Sequence, residues 1–109
     1  MTKKRKNRKK TRRILAVDVG GTHVKFEINH PKERREFNSG PKLSAQLMAS
    51  TVKCLAADWS YDVVSIGYPG LVVRNRIVAE PHNLGRGWTD FDFEKAFGCP
   101  VKIVNDAAM

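Results

Sequence analysis

At 109 residues the chain is one domain or part of one, long enough for a modest core. Its formal net charge of +9 is uneven: nine of the twenty Lys/Arg lie in residues 1–13, MTKKRKNRKKTRR, leaving eleven against eleven Asp/Glu. The rest of the chain is therefore neutral, which argues against a basic nucleic-acid face, and no apolar run is long enough to span a bilayer.

Residues 1–13 have no hydrophobic residue after Met1 and are expected to form a disordered basic tail, with the domain occupying 14–109. The plain reading of the tail is a solvated extension. A polyanion clamp is the functional one, with the Lys/Arg of residues 3–13 displacing counterions from nucleic acid or inorganic polyphosphate. A nuclear address is a third. The tail followed by Ile14–Val17 faintly imitates a signal peptide. Asp18 cuts the apolar segment short and no small-residue cleavage site follows, so a soluble cytoplasmic protein is expected. Cys54 and Cys99 form no C-x-x-C pair and suggest free thiols, with a disulfide left open. His23, His30 and His82 show no metal-ligand spacing, so no zinc site is expected.

The stretch ILAVDVGGTHVKFEIN, Ile14–Asn29, reads as two strands joined by a glycine turn. Val24, Phe26 and Ile28 alternate with His23, Lys25, Glu27 and Asn29, the period of a half-buried strand. Gly20 and Gly21 are expected to supply positive φ at a tight hairpin. No glycine pattern opening a helix is present, which sets aside the dinucleotide and P-loop designs. A hairpin instead offers the N–H groups of Gly20, Gly21 and Thr22 as a nest for phosphate oxygens. Asp18 beside it suits a hydrated Mg2+. An ordinary Gly-Gly hairpin with a surface aspartate is the other reading of the same residues.

His30-Pro31-Lys32 predicts a turn, and Glu33–Phe37 a third strand at the sheet edge. Asn38-Ser39-Gly40-Pro41 breaks the chain. A helix is expected over Lys42–Asp58, with Pro41 near its start and Leu43, Leu47, Cys54 and Leu55 on its apolar side. Tyr61–Tyr68 reads as a strand buried on both faces, ending at Pro69-Gly70. Leu71–Val73 and Ile77–Ala79 read as a hairpin around Arg74-Asn75-Arg76. Pro81–Trp88 is a loop rich in breakers. Phe91–Phe97 is a short helix capped by Thr89 or Asp90 and stopped by Gly98. Pro100–Val104 is a last strand, with Asn105-Asp106 at its end and a helix starting at Ala107–Met109. One long helix leaves much of a sheet face bare. The chain is therefore expected to be the N-terminal piece of a longer protein, the alternative being a complete chain that dimerises over that face.

Four stretches in this order, AVDVGGTHVK, VVSIGYPGLV, PHNLGRGW and PVKIVNDAAM, resemble the first lobe of sugar kinases of the ROK family, within the actin/hexokinase/Hsp70 superfamily. The wording of EPHNLGRGW and NDAAM is closest to the polyphosphate glucokinase branch. The resemblance implies an α/β fold: a ribonuclease-H-like lobe whose mixed sheet carries an N-terminal β-hairpin and flanking helices, ending before a second lobe. It implies phosphoryl transfer from ATP or polyphosphate, with Mg2+, to the 6-hydroxyl of glucose, and it leaves room for a homodimer of the full-length protein.

Within that resemblance Asp106 is the catalytic base that takes the sugar proton, a task suited to a carboxylate at a strand end. By itself it reads better as a helix cap, and the resemblance reverses that preference. Asp18, Gly20, Gly21, Thr22 and Lys25 match the phosphate and Mg2+ site. Gly70, Asn83, Asn105 and Asp106 match the sugar site, and Trp88 is either a stacking surface or core. The competing functions are a kinase for another hexose or an N-acetylated amino sugar, a sugar-responsive regulator, and a tail-driven nucleic-acid module. A repressor needs a helix-turn-helix, for which the residues before the first strand are too few.

Overall fold

The computed structural model describes residues 12–106. The predicted helix start at 107–109 and the tail over residues 1–11 lie outside the described residues. Arg12 and Arg13, assigned to the tail by their charge, are tied to the body. The carbonyl of Arg12 accepts from Asn29 Nδ2 at 2.9 Å, and the N–H of Arg13 donates to Asp62 Oδ2 at 2.9 Å.

Among the described residues, seven strands and two helices follow in order: β1 Ile14–Val19, β2 His23–Asn29, β3 Lys32–Asn38, α1 Ala45–Leu55, β4 Val63–Tyr68, β5 Val72–Val73, β6 Arg76–Ile77, α2 Phe93–Phe97 and β7 Val101–Asn105. Five strands make one mixed sheet in the order β3-β2-β1-β4-β7, and β5 pairs with β6 alone. The β1–β2 and β2–β3 pairs are antiparallel, whereas β1–β4 and β4–β7 are parallel. The expected lobe, a mixed sheet led by a hairpin, is what forms.

Strand pleating divides the residues between two faces. Leu15, Val17 and Val19 of β1 are buried with Val24, Phe26 and Ile28 of β2, Val64, Ile66 and Tyr68 of β4, and Val101 and Ile103 of β7. The alternate residues Ala16, Asp18, Lys25, Glu27 and Ser65 lie on the second face, where none is fully buried. Burying one medium-to-large apolar side chain contributes about 1.5–3 kcal/mol, so the first face fixes the register: a one-residue slip would expose a whole strand's set.

The helix that covers this face is shorter than predicted and turned differently. It begins at Ala45 because the Ser44 hydroxyl accepts from the N–H of Leu47, and Pro41 falls in the preceding turn rather than the first helical turn. Its buried side is Ala45, Met48, Ala49 and Val52, spaced i, i+3, i+4, i+7. Leu47 and Leu55, expected inside, are 50% and 41% exposed, and Cys54 is exposed too. Small residues let the helix lie close to the sheet, and the bulkier leucines take the outer side. Beyond the helix, Trp59 donates from Nε1 to Glu33 Oε1 at 2.7 Å, and the Arg35 guanidinium sits 4.1 Å above its ring. Arg35 also reaches Asp58 at 2.7 Å, so edge strand β3 is clasped to the end of α1.

Several boundaries move: the edge strand runs Lys32–Asn38 rather than Glu33–Phe37, and β4 starts at Val63 rather than Tyr61. Asp92, not Thr89 or Asp90, caps α2, and Gly98 closes it in the left-handed conformation as expected. The hairpin strands are two residues each, and the turn is Arg74-Asn75 alone, both at positive φ (52° and 65°), with Arg76 inside β6. The last strand is Val101–Asn105 rather than Pro100–Val104.

Candidate functional site

The three parallel strands β1, β4 and β7 end on one side of the sheet, the side on which open α/β folds gather ligands. Register sets their residues in a row. Asp18 lies beside Gly67, and Gly67 beside Val104. Asp106 follows two positions past Val104. Across the hairpin Asp18 faces Lys25. A cavity of about 330 Å³ lies against β1, β2, β3 and the end of β7, lined by Ala16, Asp18, Lys25, Glu27, Arg34 and Asp106 among others. Two carboxylates far apart in sequence thus share one concavity. Asp18 and Lys25 are exposed, and neither is in an ion pair among the described residues.

The turn between β1 and β2 departs from expectation. Neither Gly20 nor Gly21 has positive φ. Gly20 is required by a close approach instead: a Cβ there would sit 2.9 Å from the carbonyl oxygen of His23. The N–H of Gly20 donates to that same oxygen at 3.0 Å, so it is spent within the turn and cannot serve the phosphate nest. The N–H groups of Gly21 and Thr22 have no protein acceptor among the described residues. The nest therefore reduces from three donors to two. The Thr22 hydroxyl lies 3.2 Å from His23 Nδ1.

The residues matched to a sugar site fall into two contacts. Asn105 donates from Nδ2 to the carbonyl of Gly70 at 2.6 Å, joining the end of β7 to the turn after β4. Gly70 is needed there for a reason beyond ligand approach, since a Cβ would meet the buried Tyr68 ring at 2.7 Å. Asn83 comes to the β1–β2 turn: its Cβ would be 4.0 Å from a Cβ on Gly21. Asp106 stands on the cavity rather than in either contact. Trp88 is 1% exposed and belongs to the core, its ring 5.5 Å from that of Tyr68, which removes it as a stacking surface.

Several residues that build the site carried no signal of their own in the sequence. Glu80 accepts from the N–H groups of Trp88 and Thr89 and from the Thr89 hydroxyl at 2.8–3.1 Å, closing the loop that carries Asn83. Burial alone would raise the Glu80 carboxyl, but these three donors, with Arg86 nearby, hold it below its ordinary range. Gly85 donates to Leu43 O at 2.8 Å, and a Cβ on it would strike the backbone of Lys42 and Leu43. Ser39 and Asn75 likewise act through backbone groups distant in sequence. A lone serine, asparagine or glutamate looks the same whether solvated or bonded, so only the general breaker character of 38–41 and 81–88 was visible.

Among the described residues no three His, Cys, Asp or Glu side chains form a metal-binding group. A magnesium ion carried on phosphate oxygens asks for only one or two carboxylates, and exposed Asp18 beside Lys25 fits that role. The cavity's two carboxylates and ammonium, with the two free N–H groups on the turn that ends the same hairpin, suit a phosphorylated ligand whose charge is shared between cation and dipoles, with a second carboxylate left to act as a base.

No family model matches the sequence, and no curated protein matches it closely enough to count as a relative. Solved structures do match its fold. An inorganic polyphosphate/ATP-glucomannokinase from Arthrobacter sp. strain KM superposes with a TM-score of 0.70 at 22% identity, over 89% of this chain and 45% of that one. A ROK family glucokinase from Streptomyces griseus, solved with glucose and AMPPNP, gives 0.65 at 21% identity over 87% and 33%. A ROK hexokinase from Thermus thermophilus gives 0.64 at 23% identity over 87% and 35%. The chain thus spans less than half the length of each, and its fold is that of a partial N-terminal lobe of these sugar kinases. No described helix is long and apolar enough to cross a membrane.

Proposed function

We propose that this chain is the N-terminal lobe of a ROK-family sugar kinase, contributing to phosphoryl transfer from polyphosphate or ATP to the 6-hydroxyl of glucose. The observation that carries this is the shared cavity of Asp18, Lys25 and Asp106 at the carboxyl ends of the parallel strands. Glucose as acceptor rests on the glucokinase and glucomannokinase among the structural neighbours.

Phosphoryl transfer leaves little covalent work to the protein, which positions the reactants, spreads charge and removes a proton. Asp106 accepts the proton of the attacking sugar hydroxyl on its carboxylate. Gly21 and Thr22 N–H groups and the Lys25 ammonium hold the donor's phosphate oxygens. Asp18 would hold a magnesium ion, which supplies charge neutralisation on the phosphates when bound. Asn105, fixed by Gly70, orients the sugar beside Asp106, and Asn83 links the sugar loop to the phosphate turn. The turn reads phosphates and not a base, so it serves either donor.

A single lobe forms no closing cleft to exclude water. Residues 1–109 alone are therefore expected to bind donor phosphates without turning over. Calorimetric titration with magnesium tripolyphosphate, and a coupled assay with glucose and either donor, test this. The expected result is binding that Lys25→Gln weakens about threefold to tenfold, with no measurable product. A robust rate from the purified chain overturns the single-lobe reading. Unaltered binding by Lys25→Gln removes Lys25 from the site.

A further inference from the structure

We infer that Ser39 is a positioning residue of the phosphate-binding turn, deciding which ends of its peptide dipoles remain available to an anion. The inference rests on reading that turn as the donor-phosphate site.

Ser39 lies one residue beyond β3 yet touches the turn between β1 and β2. The reason is register: β3 runs antiparallel to β2 with Asn38 beside His23, so the next residue comes alongside Thr22. The N–H of Ser39 donates to the carbonyl of Thr22 at 2.8 Å, extending the ladder one step. Its hydroxyl, half-buried, donates to the carbonyl of Gly20 at 2.7 Å, spanning the turn. Gly40 follows at φ +92°, a conformation L side chains rarely adopt, and takes the chain off the strand immediately afterwards. Ser39 is therefore held between a strand and a left-handed glycine.

The electrostatic result follows from counting the turn's polar groups. The carbonyls of Gly20 and Thr22 are engaged by Ser39, and that of His23 by the N–H of Gly20. A free carbonyl oxygen beside a phosphate would repel it. With these three occupied, the turn's unbonded groups among the described residues are two N–H donors, those of Gly21 and Thr22, against one carbonyl, that of Gly21, an excess of donors of the kind an anion needs. Asn83 comes near Gly21, its Cβ 4.0 Å from where a Cβ on Gly21 would be. Removing the Ser39 hydroxyl frees the Gly20 carbonyl, and the peptide joining Gly20 to Gly21 can then rotate, carrying the Gly21 N–H away from the ligand.

The test is calorimetric titration of the 109-residue chain with magnesium tripolyphosphate, comparing wild type with Ser39→Ala, Ser39→Thr and Ser39→Val. Threonine keeps the hydroxyl, and valine matches threonine's shape without it. Affinity should fall about threefold to tenfold in Ser39→Ala and Ser39→Val, while Ser39→Thr restores wild-type binding. If Ser39→Ala does not fold, the threonine–valine pair decides alone. Equal affinity for those two overturns the positioning role and leaves the phosphate site standing. Absence of tripolyphosphate binding by the wild type overturns the site and this inference together.

Discussion

Asn105 and Gly70 are joined by a 2.6 Å hydrogen bond from the Asn105 amide to the Gly70 carbonyl, so the last residue of β7 is anchored to the turn that leaves β4. Asp106 is the next residue, and its place on the cavity depends on that anchor. Asn105→Asp keeps the shape and replaces the donor with an acceptor facing a carbonyl. The expected loss is about 1–3 kcal/mol of stability at neutral pH, measured by urea unfolding. An unchanged midpoint would show that the anchor is dispensable.

Asn75 closes the outer edge of β7 with its side chain. Its Nδ2 donates to Val101 O at 3.0 Å and its Oδ1 accepts from Ile103 N at 2.6 Å, as a neighbouring strand would. The residue sits at φ 65°, where most side chains are strained. Asn75→Gly and Asn75→Ala both lose the two bonds, but alanine adds backbone strain of about 1–2 kcal/mol. Unfolding measurements should rank the stabilities as wild type, then glycine, then alanine. Alanine equal to glycine would contradict the left-handed turn.

Gly85 is where the loop carrying Asn83 docks on the backbone before α1. A Cβ would come within 2.8 Å of Lys42 and Leu43 backbone atoms, which cannot yield as a side chain can. Gly85→Ala should cost about 1–3 kcal/mol. The indole N–H of Trp88 donates to the same Leu43 carbonyl at 3.3 Å, so the variant should also shift tryptophan emission to longer wavelength. Wild-type emission and stability would show that the loop is not held there.

Glu80 ties this loop to pH. Its carboxyl is held below the ordinary value of 4.5, so the folded state prefers it ionised. That contribution is complete above the ordinary value and is lost as pH falls through the lower folded value. Asp58, lowered chiefly by its hydrogen bond from Arg35, acts in the same direction from its ordinary 3.8. Stability should therefore decline on acidification below about pH 4.5, with a smaller decline in Glu80→Gln. Identical acid profiles for wild type and Glu80→Gln would remove Glu80 from the linkage.

Much of this architecture is legible in the residues because it depends on local alternation. Val24, Phe26 and Ile28 state a half-buried strand whatever surrounds them, and Gly98 marks the end of α2, whose start at Phe93 was missed because Thr89 and Asp90 are as good caps as Asp92. The helix face was not legible. Leu47 and Leu55 are better core candidates than Ala45 and Ala49 until the close approach of the sheet is known. Gly20 illustrates a second limit. A Gly-Gly pair fits a positive-φ turn and a crowded carbonyl equally well, and only the turn's actual geometry at the His23 carbonyl distinguishes them. The roles of Ser39, Asn75 and Glu80 lie in bonds to backbone groups that the sequence does not place nearby. Asp18 and Lys25 were expected near one another because one hairpin carries both; Arg34, which lines the same cavity from β3, was not anticipated there.

The account stands on Asp18 and Asp106 facing one cavity, so that magnesium and phosphate bound at Asp18 change the field at Asp106 as well. Carbon-detected NMR of the side-chain carboxyl groups, followed through a titration with magnesium tripolyphosphate, measures this directly. Concerted shifts of both carboxyls with the amides of Gly21 and Thr22, at a single dissociation constant, are predicted. Shifts confined to the basic residues 3–13, with both carboxyls unmoved, would contradict it.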